Sequence, residues 1–451
     1  MRKSKNSSIY CICGLFISMM YLLIESNVYA IANFNFYLYV SLIFVMLFVE
    51  KKLSLGIIWL VGILFVVIPE MLLYSKPEYL KITRHIIAGN NIFLLGYFTV
   101  RNQITEKQDS YDSYRIKLRS EKSFVLSLVL LLGFYLYCSV PNAIATVTIG
   151  RYTADFVAPE KFSHIAAGLG STLPSFFSWY FLVFRKKQNL SMAFLFSLPI
   201  FIVIFLQGSR FPLLFSVLGF VFSGHILGTT INRRNLIKLG SIAGVFIVSG
   251  MVMLSLRTLG QHSRADTEID EVDYTLSQRI STNFTVEGIV DMNSNIYEYC
   301  NKEGFSYGVN TAFPLYFWIP RSLWNDKPKM LGGLLPEYLG GYAKGYSTST
   351  GIWGEFYVDY GYYSFILFFV LGVLMHKLSN KTLSKLDSKS KSPIVIIYAF
   401  IFSYIFFSVR SPITSTVKFI TIALMYWVIV KLFIYKKRIV NNETENKRII
   451  A

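Results

Sequence analysis

Four arginines stand beside apolar stretches rather than in basic clusters: Arg210 in QGSRFP, Arg257, Arg321 in WIPRSLW and Arg410 in VRSP. A charge close to hydrocarbon is costly, so each needs a partner. The guanidinium fork matches a phosphate or pyrophosphate. Such a set points to a diphosphate cradle at a membrane face; phospholipid headgroups or salt bridges are the plainer use. Carboxylates are the next candidates. Glu287 and Asp291 are four apart, and so are Glu355 and Asp359. Deprotonating a sugar hydroxyl requires a base, and Glu355 or Glu287 fits that role. Glu355 stands between Trp353 and Tyr357, where a polar loop meets an apolar stretch, and partial desolvation there makes a carboxylate a stronger base. Trp324, Trp353, Tyr357 and Asp359 are the candidates for holding sugar rings, with an interfacial aromatic belt as the alternative.

Other chemistries lack their residues. The five histidines form no cluster, and neither HExxH, DxD nor an EF-hand pattern occurs. There is no GxxxxGK[ST] and no GxSxG, which leaves nucleotide-driven transport and hydrolase chemistry without support. Cys11, Cys13, Cys138 and Cys300 have no CxxC or metal spacing. A Cys138–Cys300 disulfide is conceivable, with nothing in the spacing to favour it.

The elements that must position these residues are membrane helices. Of the 451 residues, 53% are hydrophobic and only 16% are charged, against roughly 25% charged in a soluble domain. Twelve spans are expected: Ile9–Ile24, Phe34–Val49, Leu53–Tyr74, Ile86–Val100, Ser123–Val140, Ser163–Phe184, Leu190–Leu206, Phe211–Leu227, Leu239–Leu256, Tyr362–Lys377, Pro393–Val409 and Ile413–Ile434. The fourth is the weakest, because Asn90 and Asn91 interrupt it. No small-residue cleavage site follows the first span, so it reads as a retained helix. The fold class is an all-α polytopic membrane protein with spans one to nine in 1–256, a large loop in 257–361, spans ten to twelve in 362–438 and a tail in 439–451.

The formal net charge of +18 is concentrated between spans, in Lys51-Lys52, Arg185–Lys187, Arg233-Arg234 and Lys436–Arg438. This positive-inside pattern puts both termini in the cytoplasm of a cytoplasmic (inner) membrane and speaks against a nucleic-acid partner. The 257–360 segment then faces outward. It carries thirteen acidic and eight basic residues, opposite in sign to the whole chain. Within it, 277–300 reads as one amphipathic helix, with Ile289, Val290 and Ile296 on its apolar face. The prolines and glycines of 304–340 favour re-entrant or interfacial pieces instead of one long helix.

Three features resemble oligosaccharide repeat-unit polymerases of the Wzy type, which build O-antigens or capsules. They are the dozen spans, the one large outer loop before the last three, and WIPRSLWNDKPK followed by STSTGIWGEFYVDYG. QGSR and VRSP are similar to that family too. The resemblance implies a glycosyltransferase whose donor and acceptor are both undecaprenyl-diphosphate-linked oligosaccharides. It implies no metal and no cofactor, so side-chain cations stabilise the leaving diphosphate. Arg210, Arg321 and Arg410, with Arg257, take the diphosphate, and a chain-length regulator is a possible partner. Two other readings stay open. An O-antigen ligase shares the layout, although such ligases favour a loop histidine that is missing here after His262. A lipid-linked oligosaccharide flippase or other twelve-helix transporter would carry mid-span charges and two-fold repeats, and this chain shows little of either.

Overall fold

The computed structural model describes residues 2–50, 53–73, 76–100, 114–149, 157–158, 160, 162–185, 190–208, 210–223, 289–319, 322–340, 349–385, 393–410 and 412–438. Span Leu239–Leu256, Arg257, Glu287 and Arg321 lie outside these residues, as do the Arg210 side chain and all of 257–288.

The described chain is helical apart from one short ribbon. In order it contains α1 (Arg2–Ile24), α2 (Val28–Glu50), α3 (Leu55–Val66), α4 (Ile68–Leu73), α5 (Leu80–Thr99), β1 (Tyr114–Leu118), α6 (Glu121–Ile149), α7 (Ser163–Ser178), α8 (Leu190–Leu206) and α9 (Arg210–Val221). Then follow α10 (Ile289–Ser294), α11 (Ile296–Glu303), α12 (Val309–Tyr316), α13 (Leu331–Leu339), α14 (Gly351–Tyr360), α15 (Ser364–Lys385), α16 (Ile394–Ser408), α17 (Pro412–Phe433) and β2 (Ile434–Arg438). Among the described residues, four stretches are long and apolar enough to cross a membrane: Val28–Phe48, Leu55–Leu72, Glu121–Ile149 and Gly351–Lys381, the last interrupted by the turn at Gly361. Shorter apolar helices accompany them.

Two apolar cores share one wall. Helices α1–α5, α10, α11 and α13–α15 build the first, and α6–α9 with α17 build the second. Helix α16 separates them. It turns Ala399, Phe402, Ile405 and Val409 to the first core and Ile396, Phe400 and Phe407 to the second.

The first core depends on a close parallel pair, α5 and α15. Matching positions meet along the pair: His85 with Phe365 at 4.9 Å between ring centroids and Tyr97 with His376 at 4.9 Å. A Cβ on Gly96 would strike the Phe369 carbonyl, and one on Gly372 the Phe93 carbonyl. Small residues let apolar helices approach backbone to backbone, which is how packing drives association in lipid. Asn90 and Asn91 do not break the helix at the fourth span; they tie it to its neighbours. Trp59 Nε1 donates to Asn90 Oδ1 at 2.6 Å, Tyr39 Oη to Asn91 Oδ1 at 2.9 Å, and Asn91 Nδ2 to Ser18 Oγ at 2.8 Å. Polar bonds of this kind join helices where no water competes.

The bundle has two distinguishable ends. At one, β1 pairs antiparallel with β2, Arg115 opposite Lys437 and Ile116 opposite Lys436. Arg185 bonds Glu121 there at 2.7 Å. Helix α17 leads away from this ribbon end, so Arg410, just before α17, belongs to the other. Phe215 of α9 stacks on Phe407 of α16 at 5.3 Å. The first turn of α9, with Arg210, therefore sits at the same end as Arg410.

Two sequence expectations are corrected here. The 277–300 segment is not one helix over its described part; α10 and α11 meet at a turn on Asn295. Ile289, Val290 and Ile296 are nevertheless buried together. The STSTGIWGEFYVDYG segment does not feed straight into the tenth span. Phe356 meets Phe368 at 5.3 Å and Tyr357 meets Tyr362 at 5.5 Å, contacts a straight helix cannot make. Gly361, at φ +57°, opens a tight 3₁₀ turn, and α14 folds back along α15 as a re-entrant hairpin.

Candidate functional site

The hairpin decides where the sequence-expected site residues go. Because α14 climbs toward the arginine end, its N-terminus is recessed. Trp353 lies against Gly89, a full turn inside α5 from His85, and Val409 lies against Gly62 in the middle of α3. At this depth the STSTG and VRSP motifs meet. Ser349 Oγ donates to the Arg410 main-chain carbonyl, and the Ile352 N–H donates to the Val409 carbonyl at 3.3 Å. Gly351 occupies the left-handed region at φ +62°, so that α14 can start hard against Val409.

Three polar groups gather around that junction. Thr350 is buried, and its hydroxyl has no hydrogen-bond partner. Arg410 is half-buried. Glu355, only 8% exposed, sits one turn along α14 and within electrostatic reach of Tyr404 on α16. Tyr404 Oη bonds Thr416 Oγ1 of α17 at 3.0 Å. A recessed helix N-terminus, a guanidinium and a free hydroxyl together suit an anion, because the helix end carries partial positive charge and the guanidinium a full one. A carboxylate close by suits proton transfer from a bound hydroxyl.

Three expected sugar-holding residues have other work. Trp353 is fully buried, at 0% exposure, between α5 and α15, so it packs the core and offers no face to a glycan. Asp359 is also at 0%, and its oxygens are occupied. It accepts from Ser306 Oγ at 2.6 Å, from the Asn310 N–H at 3.1 Å, from Asn310 Nδ2 at 2.9 Å and from the Thr311 N–H at 2.7 Å. It is the cap of α12, holding the loop to the hairpin. Tyr357 is buried in an aromatic cluster with His85, Tyr297 and Phe305. Trp324 keeps about a third of its surface exposed, at 37%, and leans on Tyr316 at 5.3 Å.

The loop motif WIPRSLWNDKPK is likewise largely a scaffold where it is described. Lys327 is buried and donates to the Phe317 and Ile319 carbonyls at 2.7 and 2.9 Å, which closes the end of α12. Asp291 accepts from Tyr79 Oη at 3.1 Å. The four cysteines are free thiols, so the Cys138–Cys300 bridge does not form.

Two carboxylates escaped the sequence reading. Glu70 is wholly buried in α4 and accepts from the Ile289 and Val290 N–H groups at 3.1 and 2.8 Å, capping α10. Its signal was present: an acid inside an apolar span needs a partner. Glu160 accepts from Ser139 Oγ at 2.5 Å and from Gln207 Nε2 at 3.3 Å. That places a second carboxylate beside the QGSR turn, from a loop 47 residues upstream. No spacing rule links the two, and only the fold does.

No family model matches the chain, and neither a curated protein nor a solved structure does. The functional reading therefore stands on the residues themselves.

Proposed function

We propose that this chain is a glycosyltransferase that joins lipid-diphosphate-linked oligosaccharide units at the extracytoplasmic face of a cytoplasmic membrane. The reading includes twelve spans, both termini inside, and 257–361 on the outer side. Support for that orientation comes from the ribbon end, where β1 and β2 gather Arg115, Lys117, Lys436, Lys437 and Arg438, as a cytoplasmic face would.

The observation that carries the reaction is the recessed α14 start, with the unpartnered Thr350 hydroxyl beside the Ser349–Arg410 bond and Glu355 one turn away. In this reading the donor diphosphate lies toward Thr350 and Arg410, with Arg210 entering from the neighbouring α9. The acceptor hydroxyl gives its proton to Glu355 and attacks the anomeric carbon. The bond from that carbon to the diphosphate oxygen breaks, and the lipid diphosphate leaves with the electron pair. Cations fixed where that charge develops lower the barrier. Arg321, Arg257 and Glu287 remain candidate contributors from the sequence alone.

Deleting the gene and running its surface glycan on a gel tests this. Single repeat units attached to the surface anchor are the expected result. Lipid-linked polymer accumulating unattached would replace the reading with a ligase. Lipid-linked units trapped at the inner leaflet would replace it with a flippase.

A further inference from the structure

A cavity lies apart from the α14 junction and shares none of its residues. It has a volume of about 480 Å³ and is bounded by the Pro77–Tyr79 turn, the start of α5, Tyr297 of α11, Tyr362 of the 3₁₀ turn before α15 and Phe365 in the first turn of α15. Lys81, Arg84 and His85 come from one face of α5, at the spacing that makes neighbours on a helix. They occupy its first two turns, where the backbone N–H groups carry partial positive charge.

These side chains are not satisfied within the protein. His85 is only 4% exposed, and neither ring nitrogen has a hydrogen-bond partner. Arg84 gives one terminal nitrogen to the Glu25 carbonyl at 2.7 Å, while its buried Nε has no partner. A buried donor left unmet is costly, so this arrangement is one that a ligand completes. Lys81 lies 3.8 Å above the Tyr297 ring, its ammonium at the cavity wall. The one acid in the lining, Glu78, is mostly exposed and pairs outward with Lys76 at 3.8 Å.

We propose that this cavity binds the phosphate of a membrane lipid headgroup. Two cations, a histidine donor and a helix start all ask for an anionic oxygen ligand, and Arg with Lys suits phosphate. The cavity falls within the roughly 300–1,000 Å³ typical of organic-ligand sites, room for a phosphate with an organic ester group beside the tyrosine rings. The flanks choose the source. Ile24, next to the Glu25 that holds Arg84, is 79% exposed, and Tyr362 and Tyr363 are exposed beside the opening. Apolar and tyrosine surfaces of that kind face acyl chains and headgroups. The inference does not depend on the proposed glycosyl transfer.

The test is lipid binding to the delipidated full-length protein in detergent, read by native mass spectrometry and by thermal shift. The probes are phosphatidylglycerol, diacylglycerol, glycerol 3-phosphate and inorganic phosphate. Saturable phosphatidylglycerol binding is expected, weakened about tenfold by Lys81→Gln and by Arg84→Gln, as for loss of one charge-assisted bond. His85→Gln should weaken it too. Lys81 is exposed and bonded to no partner that folding needs, so its substitution keeps the test valid if Arg84→Gln or His85→Gln unfolds. Diacylglycerol binding as tightly as phosphatidylglycerol, or unchanged affinity in Lys81→Gln, overturns the proposal. Glycerol 3-phosphate or phosphate binding as tightly as the lipid overturns the lipid source.

Discussion

Ser349 and Arg410, 61 residues apart, are joined by a hydrogen bond from the serine Oγ to the arginine carbonyl. That bond fixes the start of a re-entrant helix against the end of the helix that divides the two cores. It converts two short motifs, each unremarkable alone, into one recessed polar junction.

Arg410 is the cation of that junction, so Arg410→Ala should leave the protein in the membrane and reduce polymer formation at least a hundredfold. Removing one preorganised charge-stabilising donor has about that effect on a rate. Arg410→Lys should recover part of it, because charge survives while the fork does not. Glycan ladders from cells with matched protein levels are the readout, and a wild-type ladder in Arg410→Ala would exclude the arginine from the reaction.

Glu355→Gln should abolish polymer formation in cells with matched levels of membrane-inserted protein. Glu337→Gln is the comparison. Glu337 pairs with Lys329 at 2.6 Å on an exposed surface, where an ion pair contributes about 0–1 kcal/mol. Equal activity in the two variants would remove Glu355 as the base.

Asp359 four residues later should behave differently. Asp359→Asn weakens charge-assisted bonds to Ser306, Asn310 and Thr311, so the loop should loosen from the hairpin. A loss on the order of 1–3 kcal/mol of stability is expected, read as a lower melting temperature in detergent. Full stability with lost activity would instead return Asp359 to the reaction.

Gly96→Ala and Gly372→Ala should each separate α5 from α15, since the added methyl group meets a main-chain carbonyl that cannot swing aside. The cost is about 1–3 kcal/mol, that of overpacking a tight interface. Gly333→Ala, where open space surrounds the site, is the control and should be near neutral in the same thermal assay.

Cys300 should react slowly with thiol reagents at pH 7, because burial pushes its thiol up to about 11. Only the thiolate attacks, so the rate should rise about tenfold per pH unit until it nears that value. For sidedness the better probe is Leu323→Cys at an exposed loop position. In a cysteine-free background of intact cells, an impermeant maleimide should label it without lysis. Labelling only after lysis would reverse the orientation.

The apolar stretches were legible because hydrocarbon imposes about twenty apolar residues on any helix that crosses it. Asn90 and Asn91 were read as a weakness because sequence shows a polar pair without its partners, and Tyr39 and Trp59 supply those partners from other helices. Glu160 was passed over for the same reason: its partners Ser139 and Gln207 come from separate helices.

What the sequence determined by itself is the membrane class, the placement of apolar segments and the contrast between basic connections and an acidic loop. These follow from composition and charge, which solvent and lipid sort without reference to any particular contact. What only the tertiary structure decided is where each of two carboxylates one turn apart is placed. Asp359 caps α12, while Glu355 faces the junction with Tyr404. That choice is made by the fold-back at Gly361, a long-range packing arrangement in which glycines admit neighbouring backbones, and no local pattern encodes where a returning helix will stop.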